Sequence, residues 1–237
     1  MTWSIIARDE ATGRMGAIVA TRFFAVGART PYVETGIGAI ASQALFNPYY
    51  GPRGMALLAA GATAEDTVRI LTNADEGRGH RQLHVMDRQG RCAAYTGAAC
   101  VVWCGHRIGP AHSVAGNMLT GPEVVAATAK VYEEAVKTPF ARRLIAAMVA
   151  GEAAGGDKRG RQSAALVVHD GEDYSLLDLR VDDHADPLAE LARLESAARE
   201  RWVHFRRALP SRADPAGVTD RAKIEDMIQA SIAEGYE

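Results

Sequence analysis

The N-terminal part of the chain carries two short apolar segments separated by turn-forming residues. Residues 3–8 begin with alternating positions and then become apolar, and residues 15–21 (MGAIVAT) form a nearly continuous apolar run. The intervening segment 10–13 (EATG) has the composition of a turn. Apolar runs of this length, bounded by turn residues, are typical of buried strands. The pattern therefore predicts a hairpin of two buried strands.

The rest of the chain alternates between strand-like and helix-like patterns. Residues 36–45 predict a third strand, whose small side chains favour close packing against another layer or a ligand. Thr63 and Asp66 form a variant of the capping box and predict the start of a helix. The other predicted strands span residues 82–86, 91–96, 100–103, 112–115, 163–168 and 174–181, and the other predicted helices span residues 53–60, 122–136, 140–154, 187–209 and 220–233.

The order of these elements predicts the fold class. Strand-rich segments are separated by pairs of helices, which differs from the strict βα alternation of a doubly wound sheet and from an all-β pattern. Two facing sheets with helix pairs on their outer faces accommodate this order. We therefore expect an α+β protein whose residues 1–186 form a four-layer αββα sandwich. Residues 187–237 are expected to add extra C-terminal helices.

Composition and charge limit the classes of partner. The chain has 27 basic and 29 acidic residues and a formal charge of −2, which gives little attraction to nucleic acid or to an anionic membrane. Three cysteines are no basis for a disulfide framework and favour a reducing compartment. Charged residues at 8–10 interrupt any signal-peptide core, and no run of 18 apolar residues occurs. We expect a cytoplasmic protein that acts on a small molecule.

Longer motifs resemble a known family. The sequences TWSIIARD at 2–9 and GAIVATRFFAVG at 16–27 resemble the opening hairpin of N-terminal-nucleophile (Ntn) hydrolases such as proteasome β-subunits. The segments SQALFNPYYG, GNMLTGPEV, GGDKRGRQSAAL and DLRVDDH resemble, more closely, a bacterial family called domain of unknown function 1028, within the Ntn superfamily. The resemblance covers roughly residues 2–190.

The resemblance implies a catalytic role for Thr2. Ntn hydrolases use the hydroxyl or thiol of the first residue as nucleophile and its α-amine, whose ordinary pKa is near 8, as general base. Thr2 follows the initiator Met1, and threonine is small enough for a methionine aminopeptidase to expose it. Ser4, on the same strand face, is a second candidate without a built-in amine. The alternative is that Thr2 is an ordinary strand residue.

Supporting residues follow from the same resemblance. Asn117 corresponds to a position near the nucleophile's amine or the oxyanion, while Asp157 and Ser163 correspond to residues that contact the amine. Arg22 replaces an acidic residue of proteasome-like members and would orient a substrate carboxylate. The alternative for each is an ordinary loop or strand-end residue. The predicted substrate-binding residues are Arg22, Gln43, Ala44, Asn47, Arg159 and Gln162; Gln43 and Ala44 lie near the expected oxyanion donor.

Metal and cofactor signals are weak. Cys92, Cys100, Cys104 and His106 lie close in sequence but lack the paired spacing of a zinc site. The sequence 182–184 (DDH) is left open as a metal ligand set or a cleft-lining turn. Phosphate-binding glycine loops are absent. We therefore expect neither a metal nor a cofactor.

Two functions are consistent with these features. The first is an Ntn-type amidohydrolase that cleaves a small amide or an N-acyl amino acid, an anionic one if the cationic loop 158–161 faces the cleft. The second is a non-catalytic Ntn-fold protein with a ligand-binding or assembly role. The apolar stripe of the helix predicted over 187–209 indicates a homodimer or higher homo-oligomer, with a two-helix cap as its alternative.

Overall fold

The computed structural model describes residues 2–235, and its strands form two antiparallel sheets. The first sheet has the order β10-β9-β2-β1-β8-β7, and the second has the order β3-β4-β5-β6. The strand bounds are β1 (Thr2–Arg8), β2 (Met15–Thr21), β3 (Pro31–Glu34), β4 (Gly38–Ala44), β5 (Arg81–Asp87), β6 (Cys92–Thr96), β7 (Cys104–Gly109), β8 (His112–Asn117), β9 (Ser163–His169) and β10 (Ser175–Val181).

Helices follow the strands in pairs. Thr63 accepts a hydrogen bond from the backbone N–H of Asp66, so the predicted helix start at Thr63 is confirmed. Asp220 caps the last helix in the same way, through the N–H groups of Ala222 and Lys223. The helix bounds are α1 (Tyr50–Ala59), α2 (Ala64–Asn73), α3 (Glu123–Glu134), α4 (Phe140–Ala153), α5 (Pro187–Glu200), α6 (Trp202–Phe205) and α7 (Arg221–Glu234).

Alternation along the strands explains how the sheets and helices pack. Successive side chains of a strand point to opposite faces of its sheet. On β4, Ile40 belongs to one apolar cluster with residues of α1 and α2. Its neighbours Ala39 and Ala41 belong to another cluster, with Ile6 and Ala17 of the first sheet. The second sheet therefore buries one face against helices and the other against the first sheet.

The first sheet packs against the other helix pair. α4 contacts β1 and β2, and α3 contacts β7 and β8. A side chain at Gly16 would place its Cβ 3.0 Å from the side chains of Leu144 and Phe140, so glycine permits the close approach of α4 to β2. The result is a mixed α+β fold of two antiparallel sheets and associated helices.

Two predictions about individual elements are wrong, and two strands were missed. Residues 100–103 form no strand, because Val101 and Val102 are exposed rather than buried in a sheet. The helix predicted over 187–209 ends at Glu200, because the next residue leaves the α-helical region with φ −150°. The strands Pro31–Glu34 and Cys104–Gly109 were missed; each lies at the edge of its sheet, where a proline such as Pro31 is tolerated.

The chain divides into two compact units, with the boundary between Leu191 and Ala192. The predicted boundary after residue 186 lies slightly earlier. In the second unit, α7 buries Ile228 and Ser231, and Ser231 Oγ lies 2.8 Å from Nδ1 of His204. Within the described residues, every helix is too short or too polar to span a bilayer.

Candidate functional site

Thr2 lies at one end of the first sheet, in the wall of a cavity of about 170 Å³. β1 pairs with β2 on one side and with β8 on the other, and Thr2 is opposite Asn117. The Thr2 residue is only 8% exposed, and its hydroxyl donates a hydrogen bond to Oγ1 of Thr21 over 3.2 Å. Met1, whose removal the catalytic prediction requires, lies outside the described residues. The largely buried Thr2 residue therefore borders a partly open cavity.

This space, which we call the Thr2 cavity, has mostly apolar walls. Phe23 and Val26 follow the end of β2, and Leu45 and Phe46 follow the end of β4. Arg29 is the charged residue of the lining. The remaining lining residues are Thr30, Gln43 and Ala44.

Buried amides fix the backbone of Thr2. Its carbonyl oxygen accepts hydrogen bonds from Nε2 of Gln43 and from Nδ2 of Asn117, both over 3.3 Å. The same two amide nitrogens donate to Oε1 of Gln82 over 2.8 and 3.0 Å. These three amide side chains are at most 2% exposed. They position Thr2, and the contacts predicted for Asn117 with an amine or an oxyanion stay predictions.

Ser4, the second candidate nucleophile, belongs to a closed polar network. Its Oγ donates to Oε1 of Gln43 over 2.8 Å and lies 2.8 Å from Nε2 of His84, whose Nδ1 lies 3.2 Å from Oγ of Ser113. Because the one Ser4 proton goes to Gln43, Nε2 of His84 carries a proton and Nδ1 accepts from Ser113. Burial, with a smaller effect from the charge of His106, lowers the pKa of His84 to about 3. The Ser4–His84 pair has no access to solvent and joins the two sheets.

The buried histidine predicts an acid-sensitive fold. Unfolded His84 binds a proton near pH 6.5, whereas the folded protein keeps it neutral down to about pH 3. The stabilisation is therefore complete above pH 6.5 and is lost as the pH falls toward 3, by up to about 1.4 kcal/mol per pH unit. Urea denaturation at several pH values should show that the free energy of unfolding decreases less steeply with falling pH for His84→Gln than for the wild type. Burial also lowers the pKa of His106 and His112. Both residues are present in the wild type and in the variant, so the difference in slope between the two proteins reports on His84. Parallel slopes would contradict a neutral buried histidine.

Asp157 and Ser163 hold the segment that walls the Thr2 cavity. Asp157 accepts hydrogen bonds from the backbone N–H groups of Arg22 and Arg159, both over 2.8 Å, and an ion pair from the Arg159 guanidinium over 3.3 Å. Ser163 Oγ donates to the carbonyl of Phe23 over 2.5 Å and accepts from the N–H of Val26 over 3.2 Å. Both side chains therefore shape the cavity. Their predicted contact with the Thr2 amine stays a prediction.

Other predicted binding residues point to different partners. Arg22 donates from Nη1 to the carbonyl of Arg161 over 3.3 Å. Gln162 donates from its side chain to Asp183 over 3.1 Å. Asn47 does not line the Thr2 cavity; it borders a second cavity of about 450 Å³ beside α1 and α2 and donates to Asp75 over 3.1 Å.

Residues with strained backbone conformations cluster at the end of the sheets where Thr2 lies. Among non-glycine residues of the described chain, Ala25, Ala44 and Met118 have φ values of 52°, 69° and 53°, in the left-handed region. Such conformations cost about 1–3 kcal/mol each and are typical of functional sites. Ala44 lines the Thr2 cavity, Ala25 precedes its wall residue Val26, and Met118 follows Asn117. The fourth such residue, Ala111, lies beside Arg8, at the opposite end of β1 from Thr2.

The cysteine and DDH signals do not converge on a metal. The three cysteines are free thiols, and no group of three or more metal-ligating side chains occurs within residues 2–235. Asp182 pairs with Arg180 instead. His184 accepts a hydrogen bond from the N–H of Asp186.

Sequence reasoning missed several parts of this site. Arg29, Thr21 and Gln82 were not singled out, although Thr21 immediately precedes a predicted binding residue. The only available signal for Gln82 was a polar side chain at the start of a predicted strand. Its role depends on Gln43 and Asn117, which are distant from it in sequence.

The fold and the site together define a class of protein. It is a mixed α+β protein of two antiparallel sheets, in which the first strand starts in the wall of a cavity. The model of the family of unknown function DUF1028 matches residues 2–191, which end where the first compact unit ends. The chain belongs to this family, so the resemblance of its motifs to DUF1028 is confirmed, while the placement in the Ntn superfamily stays a prediction.

Solved structures agree with this membership. A crystal structure of protein SPO2555 from Silicibacter pomeroyi, a DUF1028 protein, has a TM-score of 0.85 and 32% sequence identity, and the match covers 92% of this chain and 99% of that chain. Anbu (ancestral beta-subunit) from Yersinia bercovieri is 11% identical, over 83% of this chain and 94% of that chain, with a TM-score of 0.37. A likeness at that score carries no argument. No curated protein matches the chain.

Proposed function

We propose that the chain is an Ntn-type amidohydrolase with a four-layer αββα sandwich and Thr2 as its nucleophile. Two facing sheets, each in contact with a helix pair, support this architecture. The proposal also assumes that Met1 is removed, which makes Thr2 the first residue. The observation that carries the proposal is the position of Thr2, whose hydroxyl lies in the wall of a cavity while its carbonyl is fixed by two buried amides.

The chemistry then follows from the residue itself. The Thr2 α-amine takes the hydroxyl proton, directly or through one water, while Oγ1 attacks the amide carbonyl. The C–N bond breaks, the proton passes to the leaving amine, and an ester joins the acyl group to Thr2. Water then hydrolyses this ester to release the acid and restore the hydroxyl. Because Gln43 and Asn117 already bind the Thr2 carbonyl, the oxyanion donor in this proposal is a backbone N–H group beside Ala44.

A free α-amine is the decisive requirement. We expect mass spectrometry of protein made without an N-terminal tag to show loss of Met1, and we expect this protein to hydrolyse members of a panel of N-acyl amides. Protein with one extra N-terminal glycine before Thr2 keeps the hydroxyl but moves the amine, so its kcat should fall by about 10²- to 10⁴-fold, the usual contribution of general-base catalysis.

Two outcomes would contradict the mechanism. One is quantitative retention of Met1 in active protein, and the other is equal activity with and without the extra glycine. Circular dichroism and the urea midpoint of both proteins serve as controls, because a folding defect would lower both activity and stability.

A non-catalytic binding or assembly role is the second candidate. The residues that the resemblance assigns to the amine have other partners, since Asp157 binds Arg22 and Arg159 and Ser163 binds the segment 23–26. Arg22 also departs from the acidic residue of proteasome-like members. This role predicts ligand binding without turnover by protein that has lost Met1. Light scattering tests the accompanying proposal of a homodimer or higher homo-oligomer.

A further inference from the structure

The Thr2 cavity contains a cation without a protein partner. Arg29 lies in the lining with Thr2, and its side chain is exposed. Among the described residues, none forms a hydrogen bond or ion pair with the Arg29 guanidinium; only its backbone N–H is used, toward the carbonyl of Val26. A guanidinium with five free donors beside an apolar cavity is suited to bind a carboxylate.

Two other arginines near this end of the molecule are already paired with carboxylates. Arg159 pairs with Asp157, and Arg161 pairs with Glu152 and Asp186. None of these side chains lines the Thr2 cavity. The two arginines of the loop 158–161 are therefore neutralised by neighbouring carboxylates, and Arg29 is the charged residue in the lining of the Thr2 cavity.

The size of the cavity limits what lies between Thr2 and Arg29. A cavity of about 170 Å³ has room for a small acyl group beside Thr2. Phe23, Val26, Leu45 and Phe46 would surround a short hydrocarbon segment. A chain of four or five carbons is suited to this space.

We propose that the Thr2 cavity binds the acyl half of a monoamide of a short dicarboxylic acid, such as a succinyl or glutaryl amide, and that Arg29 binds the free carboxylate. This inference rests on the proposed function, because it places the scissile carbonyl at Thr2. The carboxylate then pairs with Arg29 at the exposed rim, and the methylene groups contact the apolar walls. Hydrolysis consumes one water and releases a dicarboxylate and an amine. Arg29 determines specificity and takes no part in the chemical steps.

The kinetic test compares two substrates with the same leaving group. N-succinyl and N-butyryl p-nitroanilides both have four-carbon acyl groups and differ in the terminal carboxylate. We expect wild-type kcat/KM to favour the succinyl compound by about 10- to 100-fold, as for a hydrogen-bonded charged group. Arg29→Gln should remove this preference by lowering kcat/KM for the succinyl compound far more than for the butyryl compound, because only the succinyl group loses a charged pair. Arg29→Lys should restore part of the preference, since lysine keeps the charge without the fork.

A matched control and a binding measurement separate the two proposals. Arg88→Gln removes another exposed arginine, on the turn between β5 and β6 at the far end of the sheet, and should leave both rates unchanged.

Calorimetry with Thr2→Ala protein measures binding of succinanilic acid and butyranilide without turnover. If succinanilic acid binds in an Arg29-dependent way but the wild type hydrolyses neither anilide, the hydrolase proposal is wrong and the anion site remains. If the wild type hydrolyses both anilides with equal kcat/KM, or if Arg29→Gln lowers both kcat/KM values equally, the carboxylate site is wrong and the hydrolase proposal remains. Absence of both binding and hydrolysis would overturn the inference.

Discussion

Replacing Thr2 by alanine is expected to lower kcat for amide hydrolysis by about 10⁴-fold or more, to the background rate, because a covalent mechanism has no substitute for its nucleophile. Thr2→Ser should retain measurable activity, since it keeps a hydroxyl and an α-amine at the same position. The measurement is single-substrate kinetics on protein whose N-terminal mass shows that Met1 is absent.

Stability must be measured on the same Thr2 variants. Thr2 loses one hydrogen bond to Thr21 when it becomes alanine, so the free energy of unfolding should change by about 1 kcal/mol. Thr12→Ala, in the exposed turn at the other end of the hairpin, should leave kcat at the wild-type value. Full activity of Thr2→Ala would move the chemistry to another residue or end the hydrolase proposal.

Replacing Gln82 by leucine is expected to destabilise the protein by about 3–5 kcal/mol. Gln82 is fully buried, and its Nε2 lies within 3.0 Å of three acceptors, while its Oε1 accepts from Gln43 and Asn117. Leucine fills a similar volume but removes the side-chain donor from the carbonyls of Gly105 and Gly116, which costs about 1–3 kcal/mol for each. The amides of Gln43 and Asn117 and the hydroxyl of Thr96 keep other partners. The three acceptors are Oγ1 of Thr96 and the carbonyl oxygens of Gly105 and Gly116.

Urea denaturation of Gln82→Leu provides the measurement. Gln89→Leu, in an exposed turn, should change the free energy of unfolding by less than about 0.5 kcal/mol. The double variant Gln43→Leu/Gln82→Leu should lose less than the sum of the single losses, because the two residues share a hydrogen bond. Strict additivity, or a loss below about 1 kcal/mol for Gln82→Leu, would show that the amide network contributes little.

Buried strands were the part of the fold that the sequence pattern predicted best. The segment 15–21 was predicted as a strand with the bounds that the structure has, because a continuous apolar run between turns has few other uses in a core. The segment 100–103 is apolar as well, yet it forms no strand: Val101 and Val102 are exposed, and its backbone contacts with other segments are single hydrogen bonds from the residues after Asn117. Local pattern is similar in the two cases, and only the presence of a pairing strand separates them.

The candidate site was predicted in part. Thr2, Gln43 and Ala44 do line one cavity, but Asn47, only three residues after Ala44, borders another. The backbone of Ala44 adopts a left-handed conformation with φ 69°, so the chain changes direction between the two cavities. A sequence motif fixes which residues are neighbours along the chain and does not fix the side to which a turn directs them.

By itself, the sequence determined the family, the alternation of strands and helix pairs, and the helix start at Thr63, because these depend on motifs, on local periodicity and on residues close together in the chain. Only the tertiary structure decided that Gln43, Gln82 and Asn117 meet around the Thr2 carbonyl, since these residues come from three strands in two sheets. It also left Arg29 unpaired beside the Thr2 cavity while the arginines of the 158–161 loop found carboxylates. Charge pairing depends on distances across the fold, which the order of residues does not specify.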